Sequence, residues 1–355
     1  MNNLPFPITS LEQVNKKHPK LWSTCDKYLT VVKDAYTWNE NCYCPVELFR
    51  LIMEYYGQEN NIIIPETGII TYCGLYNWKR YRQIYNFDAD FVNVLIKSAT
   101  DDIKIDEALK HLPFPSFYIN IDGVNEFRVS GDFSNSNKTI DKNRYVTGFY
   151  VYRNVSIHNK NNYNKSEEIN ALKFDVYLSD GSSFSYELLI GKGKTVRESF
   201  DYLRENHETT NMNTSEITIL EDVIEKAIVM ILYLCAVNSD IKESPKQKVI
   251  RKTNINPNNK IINDVKKIKI NDVGYVIGKS IRISTEIEDN KVTTVANSSK
   301  GSTKRPHQRR AHFHSYWVGS EKDGTKHIEI KWIAPIFVHL TANEEPTTRI
   351  TPVTT

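Results

Sequence analysis

The segment Ser215–Val237 constrains this chain more than any other stretch. It opens with an acidic first turn, and Ile217, Leu220, Ile224, Ile228, Ile231 and Cys235 recur along one helical face. Its second half, Ala227–Val237, is an eleven-residue run that is apolar all round. Such a helix has no wet face, so other elements must cover it, and in a chain with strands that cover is a sheet. The run falls well short of the roughly 20 residues that cross a bilayer. A central buried helix is therefore expected, with no membrane partner.

The other elements follow from spacing. Leu11–Val32, Val46–Tyr56, Thr71–Tyr85 and Phe91–Ala99 carry apolar residues three and four apart and predict helices. Ser116–Asp122, Val146–Val155, Ala171–Ser179 and Ser183–Ile190 alternate or form short apolar runs and predict strands. Asp180-Gly181 between the last two is a hairpin signal. The polar, Asn-rich His158–Glu168 predicts a long exposed loop. Thr195–Asn206 predicts a helix that opens with Thr-x-x-Glu, a reciprocal cap between Thr195 and Glu198. Lys242–Lys269 and Glu286–Lys304 are rich in Asn, Lys and Ser and predict flexible stretches around a more structured Asp272–Ile283.

The expected class is α+β: a helical N-terminal part, a mixed sheet with a buried central helix, and a C-terminal basic hairpin. The expected regions are helical 1–112, an α/β core over 113–240, a basic connector over 241–304, a His/Arg/aromatic hairpin over 305–340 and a polar tail over 341–355. A chain of 355 residues with 40% hydrophobic and 25% charged residues supports a core without staples. The five cysteines (Cys25, Cys42, Cys44, Cys73, Cys235) are odd in number and lack paired spacing. Together with an N-terminus that lacks a signal-peptide pattern, they suggest a reduced, cytoplasmic setting.

Net charge is only +3, but its distribution is uneven. Residues 241–270 hold nine Lys or Arg against two acids, and residues 300–332 hold eight against three. Such a stripe attracts phosphates or an acidic partner over long range. A solvated basic face is the plain alternative.

The second basic stretch also alternates. In a strand, Arg310, His312, His314 and Tyr316 fall on one face and Ala311, Phe313, Ser315 and Trp317 on the other. After a turn at Asp323-Gly324, Ile328, Ile330 and Trp332 fall on one side of a return strand, and His327, Glu329 and Lys331 on the other. Two strands with matched alternation predict a hairpin with one buried face. Its other face gathers guanidinium, imidazole, ammonium and phenol groups, with Lys304, Arg305, His307 and Arg309 just upstream. Arginine grips phosphate with a two-pronged fork, and aromatic rings stack on unpaired bases. Lys304, Arg305, His307, Arg309, Arg310, His312, His314, Tyr316 and Lys331 are therefore the candidate nucleic-acid or ribonucleoprotein contacts.

Two chemical alternatives attach to the same face. His312 and His314, about 7 Å apart along a strand, can serve as general acid and base in metal-independent RNA cleavage, with Arg309 or Arg310 on the phosphorane. His-x-His can instead join His307 or His327 around zinc, although no cysteine accompanies them. No metal or other cofactor is the expectation. Gly193-Lys194-Thr195 imitates the end of a phosphate-binding loop, but Leu188 stands where that pattern needs glycine. A turn and helix cap explain it better.

The run TKRPHQRRAHFHSYWVGS, continued by IKWIAPIFV, resembles the second type V-A anti-CRISPR family, close to K-R-P-H-x-R-R-G-H-W-H-x-Y-W-x-G. Lys304, Arg305, Pro306, His307, Arg309, Arg310, His312, His314, Tyr316, Trp317 and Gly319 keep that form, and Trp332, Pro335 and Phe337 follow suit. Ala311 replaces a glycine and Phe313 a tryptophan. WKRYRQIYNFD at Trp78–Asp88, Leu112-Pro113 before FYINID, Gly148-Phe149 and LYLCAVNSDI resemble the family more weakly, in the same order.

The resemblance implies suppression of type V-A CRISPR effector (Cas-twelve-a class) production in a bacterial host cell. The family recognises the effector's nascent N-terminal peptide during translation, and its mRNA is then lost. Implied partners are that peptide, the ribosome or mRNA, and a host ribonuclease. A protein of this kind is an adaptor rather than an enzyme, and no peptide-pocket residues can be named from sequence.

Overall fold

The computed structural model describes residues 5–100, 103–121, 124, 127–129, 144–160, 170–206, 214–245, 267–291 and 307–338. Where spacing predicts one helix over Leu11–Val32, the chain forms two, α1 (Phe6–Lys17) and α2 (Leu21–Ala35). Pro19 explains the break, because its ring lacks an N–H and clashes with the preceding turn. The two-residue β1 (Tyr36–Thr37) follows α2. Then come α3 (Val46–Asn60) and α4 (Glu66–Tyr81), which start directly after Pro45 and Pro65. Each is closed by a left-handed residue, Asn61 or Arg82.

The helix expected to reach Tyr85 stops at Tyr81, and β2 (Gln83–Phe87) takes over as a fully buried strand. Buried on both faces, it shows no alternation to separate it from the helix before it. Asp88 caps the short α5 (Ala89–Leu95) by accepting from the amides of Asp90 and Phe91 at 3.1 and 3.2 Å. A single turn, α6 (Ile105–Ala108), precedes β3 (Ser116–Asn120), β4 (Arg128–Val129) and β5 (Arg144–Val155).

The loop expected over His158–Glu168 begins as β6 (His158–Asn159), which pairs with β1; its remainder after Lys160 lies outside the described residues. β7 (Asn170–Leu178) and β8 (Ser183–Leu189) form the expected hairpin, with Gly181 at φ +82° in the turn. α7 (Val196–Asn206) carries the expected reciprocal cap. The Thr195 amide donates to Glu198 Oε2 at 2.7 Å and the Glu198 amide to Thr195 Oγ1 at 3.2 Å. α8 (Thr214–Cys235) is the central helix.

The stretches expected to be flexible hold more order than their composition suggests. β9 (Ile241–Glu243), β10 (Lys269–Val273) and α9 (Tyr275–Lys291) lie within or across them, while 246–266 and 292–306 lie outside the described residues. Last come β11 (His307–Arg309), β12 (His312–Val318), β13 (His327–Ile333) and β14 (Ile336–Val338).

The eight-stranded sheet runs β8-β7-β5-β3-β2-β10-β9, with β4 added beside β5. β3, β2 and β10 are parallel neighbours; the pairings of β5 with β3, β7 with β5, β8 with β7 and β9 with β10 are antiparallel. Its two faces carry separate cores. On one, α1–α4 pack over Ile84, Tyr118, Tyr150, Tyr152 and Ile270. On the other, α5, α8 and the C-terminal hairpin pack over Phe87, Phe117, Phe149 and Phe174. From Ala227 to Ala236 every residue of α8 and its end is buried, as its apolar circumference demands. No helix among the described residues is long and apolar enough to cross a membrane.

Candidate nucleic-acid interface

The hairpin is positioned from its buried side. β12 and β13 pair so that Phe313 faces Trp332, Ser315 faces Ile330 and Trp317 faces Ile328. Ala311, Phe313, Ile328, Ile330 and Trp332 are buried, as the alternation predicts. The Trp332 ring lies edge-on between Phe91 and Tyr233, with centroids 5.4 and 5.6 Å away. Its Nε1 donates to Ser98 Oγ at 2.9 Å, which satisfies the one polar atom of the ring. Backbone bonds add to this. The amides of Ala99 and Val237 donate to the carbonyls of Ala311 and Ile330 at 3.2 and 2.9 Å. A ring nitrogen of His111 lies 2.6 Å from the Ile328 carbonyl.

Two residues depart from the expected buried face. Trp317 is 64% exposed, and Ser315 is exposed as well. The cause is local. Ala99 flanks β12 as far as Phe313, and beyond it β13 is the one strand paired with β12 among the described residues. The alternation continues after its cover has ended. The exposed Trp317 ring meets a cation, with Lys326 Nζ 4.9 Å from its centroid. Gly319, at φ +83°, starts the connecting loop, and a β-carbon there would strike the Thr325 carbonyl.

The outward face is the candidate interface. His312, His314, Tyr316 and Lys331 are all exposed, and Arg310 is exposed just before β12. His314 lies directly across from Lys331, and Tyr316 across from Glu329. The His314 ring meets Tyr316 edge-on at 4.3 Å, and Lys331 Nζ sits 5.2 Å from the Tyr316 centroid. His312 Nδ1 lies 3.3 Å from the Arg310 carbonyl. His327 Nε2 approaches Glu329 Oε1 at 3.6 Å. The result is an open, wet face with an aromatic–cation stack at its middle, chemistry that suits a phosphate strand and an unpaired base.

Lys304 and Arg305 lie outside the described residues; His307 and Arg309 belong to β11, whose backbone pairs with β14. Among the described residues no three His, Cys, Asp or Glu side chains converge to hold a metal ion. All five cysteines are buried free thiols, and burial pushes Cys42 and Cys235 up to about 12. Gly193 is a turn residue at φ +71° whose amide donates to Asp106 Oδ2 at 2.8 Å, so an acid already occupies the amide a phosphate would need.

A family model for AcrVA2-like proteins, described as the anti-CRISPR type V subtype A2 family, matches residues 85–340. The chain belongs to this family. The AcrVA2-like match takes in the sheet from β2 onward, the central helix and the whole hairpin, and it makes the chain an anti-CRISPR protein of the type V-A class. A crystal structure of AcrVA2 shares the fold, with a TM-score of 0.58 and 16% identity over 95% of this chain and 100% of that one. No curated protein sequence matches the chain. Trp317, which alternation placed on the hairpin's buried face, is exposed; the signal for this was its position beside the polar turn.

Proposed function

We propose that this AcrVA2-like chain is an adaptor that suppresses type V-A effector production during translation. In this reading it recognises the effector's nascent N-terminal peptide and promotes loss of the corresponding mRNA, in the host cytoplasm. The outward face of β12–β13 supplies the contact to RNA or to the ribosome. The observation that carries this is the division of the hairpin into two faces. Trp332, Phe313 and Ile330 fasten it to the core, while His312, His314, Tyr316 and Lys331 stay exposed. A face backed by a buried side in this way presents its cations and rings to solvent, which favours a binding role.

The test is a reporter carrying the effector's N-terminal segment on an unrelated protein, with mRNA and protein both measured in cells. Expression of the chain is expected to lower both. Synonymous recoding of that segment leaves the effect intact if a peptide is read and removes it if an mRNA sequence is read. Pure protein incubated with RNA, with and without chelator, is expected to leave the RNA whole. Cleavage that disappears in His312→Ala would replace the adaptor with a ribonuclease.

A further inference from the structure

On the sheet face opposite the hairpin, α2, α4 and the approach to β10 enclose a cleft of about 600 Å³. Its charge is lopsided. Lys33, Lys79, Arg80, Arg82 and Lys267 line it, against the single carboxylate of Asp26. That carboxylate already accepts from Tyr76 Oη at 2.8 Å. Arg82 turns Nε back onto the Lys79 carbonyl at 2.9 Å, which serves the end of its own helix. Lys33, Lys79, Arg80 and Lys267 have no carboxylate partner among the described residues. The cleft also has an aromatic wall, with the Arg80 guanidinium 5.5 Å from the Tyr43 ring centroid.

Cations at the last turn of α4 suit the negative end of its dipole, and this accounts for Lys79 and Arg80. It does not account for Lys33, which comes from α2, or for Lys267, which comes from far along the chain. Three separate segments thus deliver positive charge to one concave space. Like charges brought together raise the energy of the fold unless an anion joins them, and a concave wall focuses their field.

We propose that this cleft binds nucleotide phosphate, with the Arg80–Tyr43 pair as a platform for the attached base. The volume fits a nucleotide-sized group, and a guanidinium over a phenol ring is a stacking surface that tolerates any base. The phosphate can belong to a single-stranded RNA or to a free nucleotide. The cleft is distant in the fold from the hairpin and does not rest on the hairpin's role.

The test uses full-length protein and fluorescence anisotropy of a short labelled oligouridylate, with ATP, inorganic phosphate and poly-glutamate as competitors. Arg310→Ala/Lys331→Ala provides a background in which the hairpin's outer face is disarmed. On it, Lys79→Ala/Arg80→Ala is expected to weaken RNA binding on the order of tenfold. The slope of log affinity against log salt should fall by about 0.7 for each phosphate that the variant no longer neutralises. Should that pair unfold the protein, Lys33→Ala/Lys267→Ala, which leaves α4 intact, must show the same weakening. ATP that competes as well as RNA assigns the cleft to free nucleotides, and competition by RNA alone assigns it to a strand; either supports the proposal. Binding unchanged by both cleft pairs overturns it, as does poly-glutamate that displaces RNA equally well. If the hairpin variant alone abolishes RNA binding, the cleft proposal fails and the hairpin reading stands. If only the cleft variants abolish binding, the reverse holds.

Discussion

The side chain of Asn238 grips the backbone of Trp332 from both sides. Its Nδ2 donates to the Trp332 carbonyl at 2.8 Å, and its Oδ1 accepts the Trp332 amide at 3.0 Å. One residue just past α8 thus satisfies both polar groups of the strand residue whose ring plugs the core. Asn238→Ala leaves both groups without these partners and is expected to lower stability by about 1–3 kcal/mol. Trp332→Ala, which empties the space between Phe91 and Tyr233, is expected to lower it by about 3–5 kcal/mol. Urea unfolding monitored by far-UV circular dichroism measures both, and hydrogen exchange should localise the Asn238→Ala effect to β13.

Trp317 should behave in the opposite way. It is exposed, so Trp317→Ala is expected to move stability by no more than about 0.5 kcal/mol. Its ring and the Lys326 cation lie beside the connecting turn, on the side of β12 opposite His312, His314 and Tyr316. If a base stacks there, RNA binding weakens by about 1–3 kcal/mol. Anisotropy titration beside a thermal melt separates the two effects, and a large drop in melting temperature would mean the ring is structural.

Arg310→Ala with Lys331→Ala is expected to leave stability within about 0.5 kcal/mol of the parent, because exposed charges contribute little. The reporter effect in cells should nonetheless disappear. Full reporter suppression by this pair would remove the hairpin's outer face from the mechanism.

Asp175 predicts a pH dependence. It is buried among Tyr152, Cys73 and Lys173, accepts from Ser185 Oγ, and burial pushes its carboxyl up to about 6. A folded value above the unfolded one makes folding favour the protonated acid. The associated stability is fully present below about pH 4 and is lost as pH rises through about 6, on the order of 3 kcal/mol. Asp175→Asn cannot ionise and should flatten that window. Denaturant midpoints for both proteins from pH 4 to 7 provide the comparison.

Gly274 has no room for a side chain. It sits at φ +73°, and a β-carbon there would run into the Phe91 ring. Gly274→Ala combines backbone strain with overpacking and is expected to destabilise by at least about 1–3 kcal/mol, measurable by calorimetry.

The elements most legible in the sequence were those with one wet face or none for a long stretch. The capping box at Thr195, the turn at Asp180-Gly181 and the apolar circumference of α8 each have a local physical cause. β2 and β10 lacked one. Gln83–Phe87 is buried on both faces and merges with the helix before it; Lys269–Val273 is mostly polar and owes its strand to parallel pairing with β2. For the hairpin, alternation told which side was inward but not where the cover stopped, so Trp317 was misplaced. The basic cleft was illegible for another reason. Lys33, Lys79 and Lys267 are far apart in sequence, and no spacing rule joins them.

The hairpin's attachment has one more consequence. Among the described residues, the hydrogen bonds that fasten it run through main-chain groups or through inward side chains such as Trp332, while on the solvent side His327 brings its ring within 6.1 Å of that of His111. Arg310, His312, His314 and Tyr316 nonetheless keep the letters of the form that this stretch resembles, so the demand that fixes them comes from whatever they touch and not from the scaffold beneath.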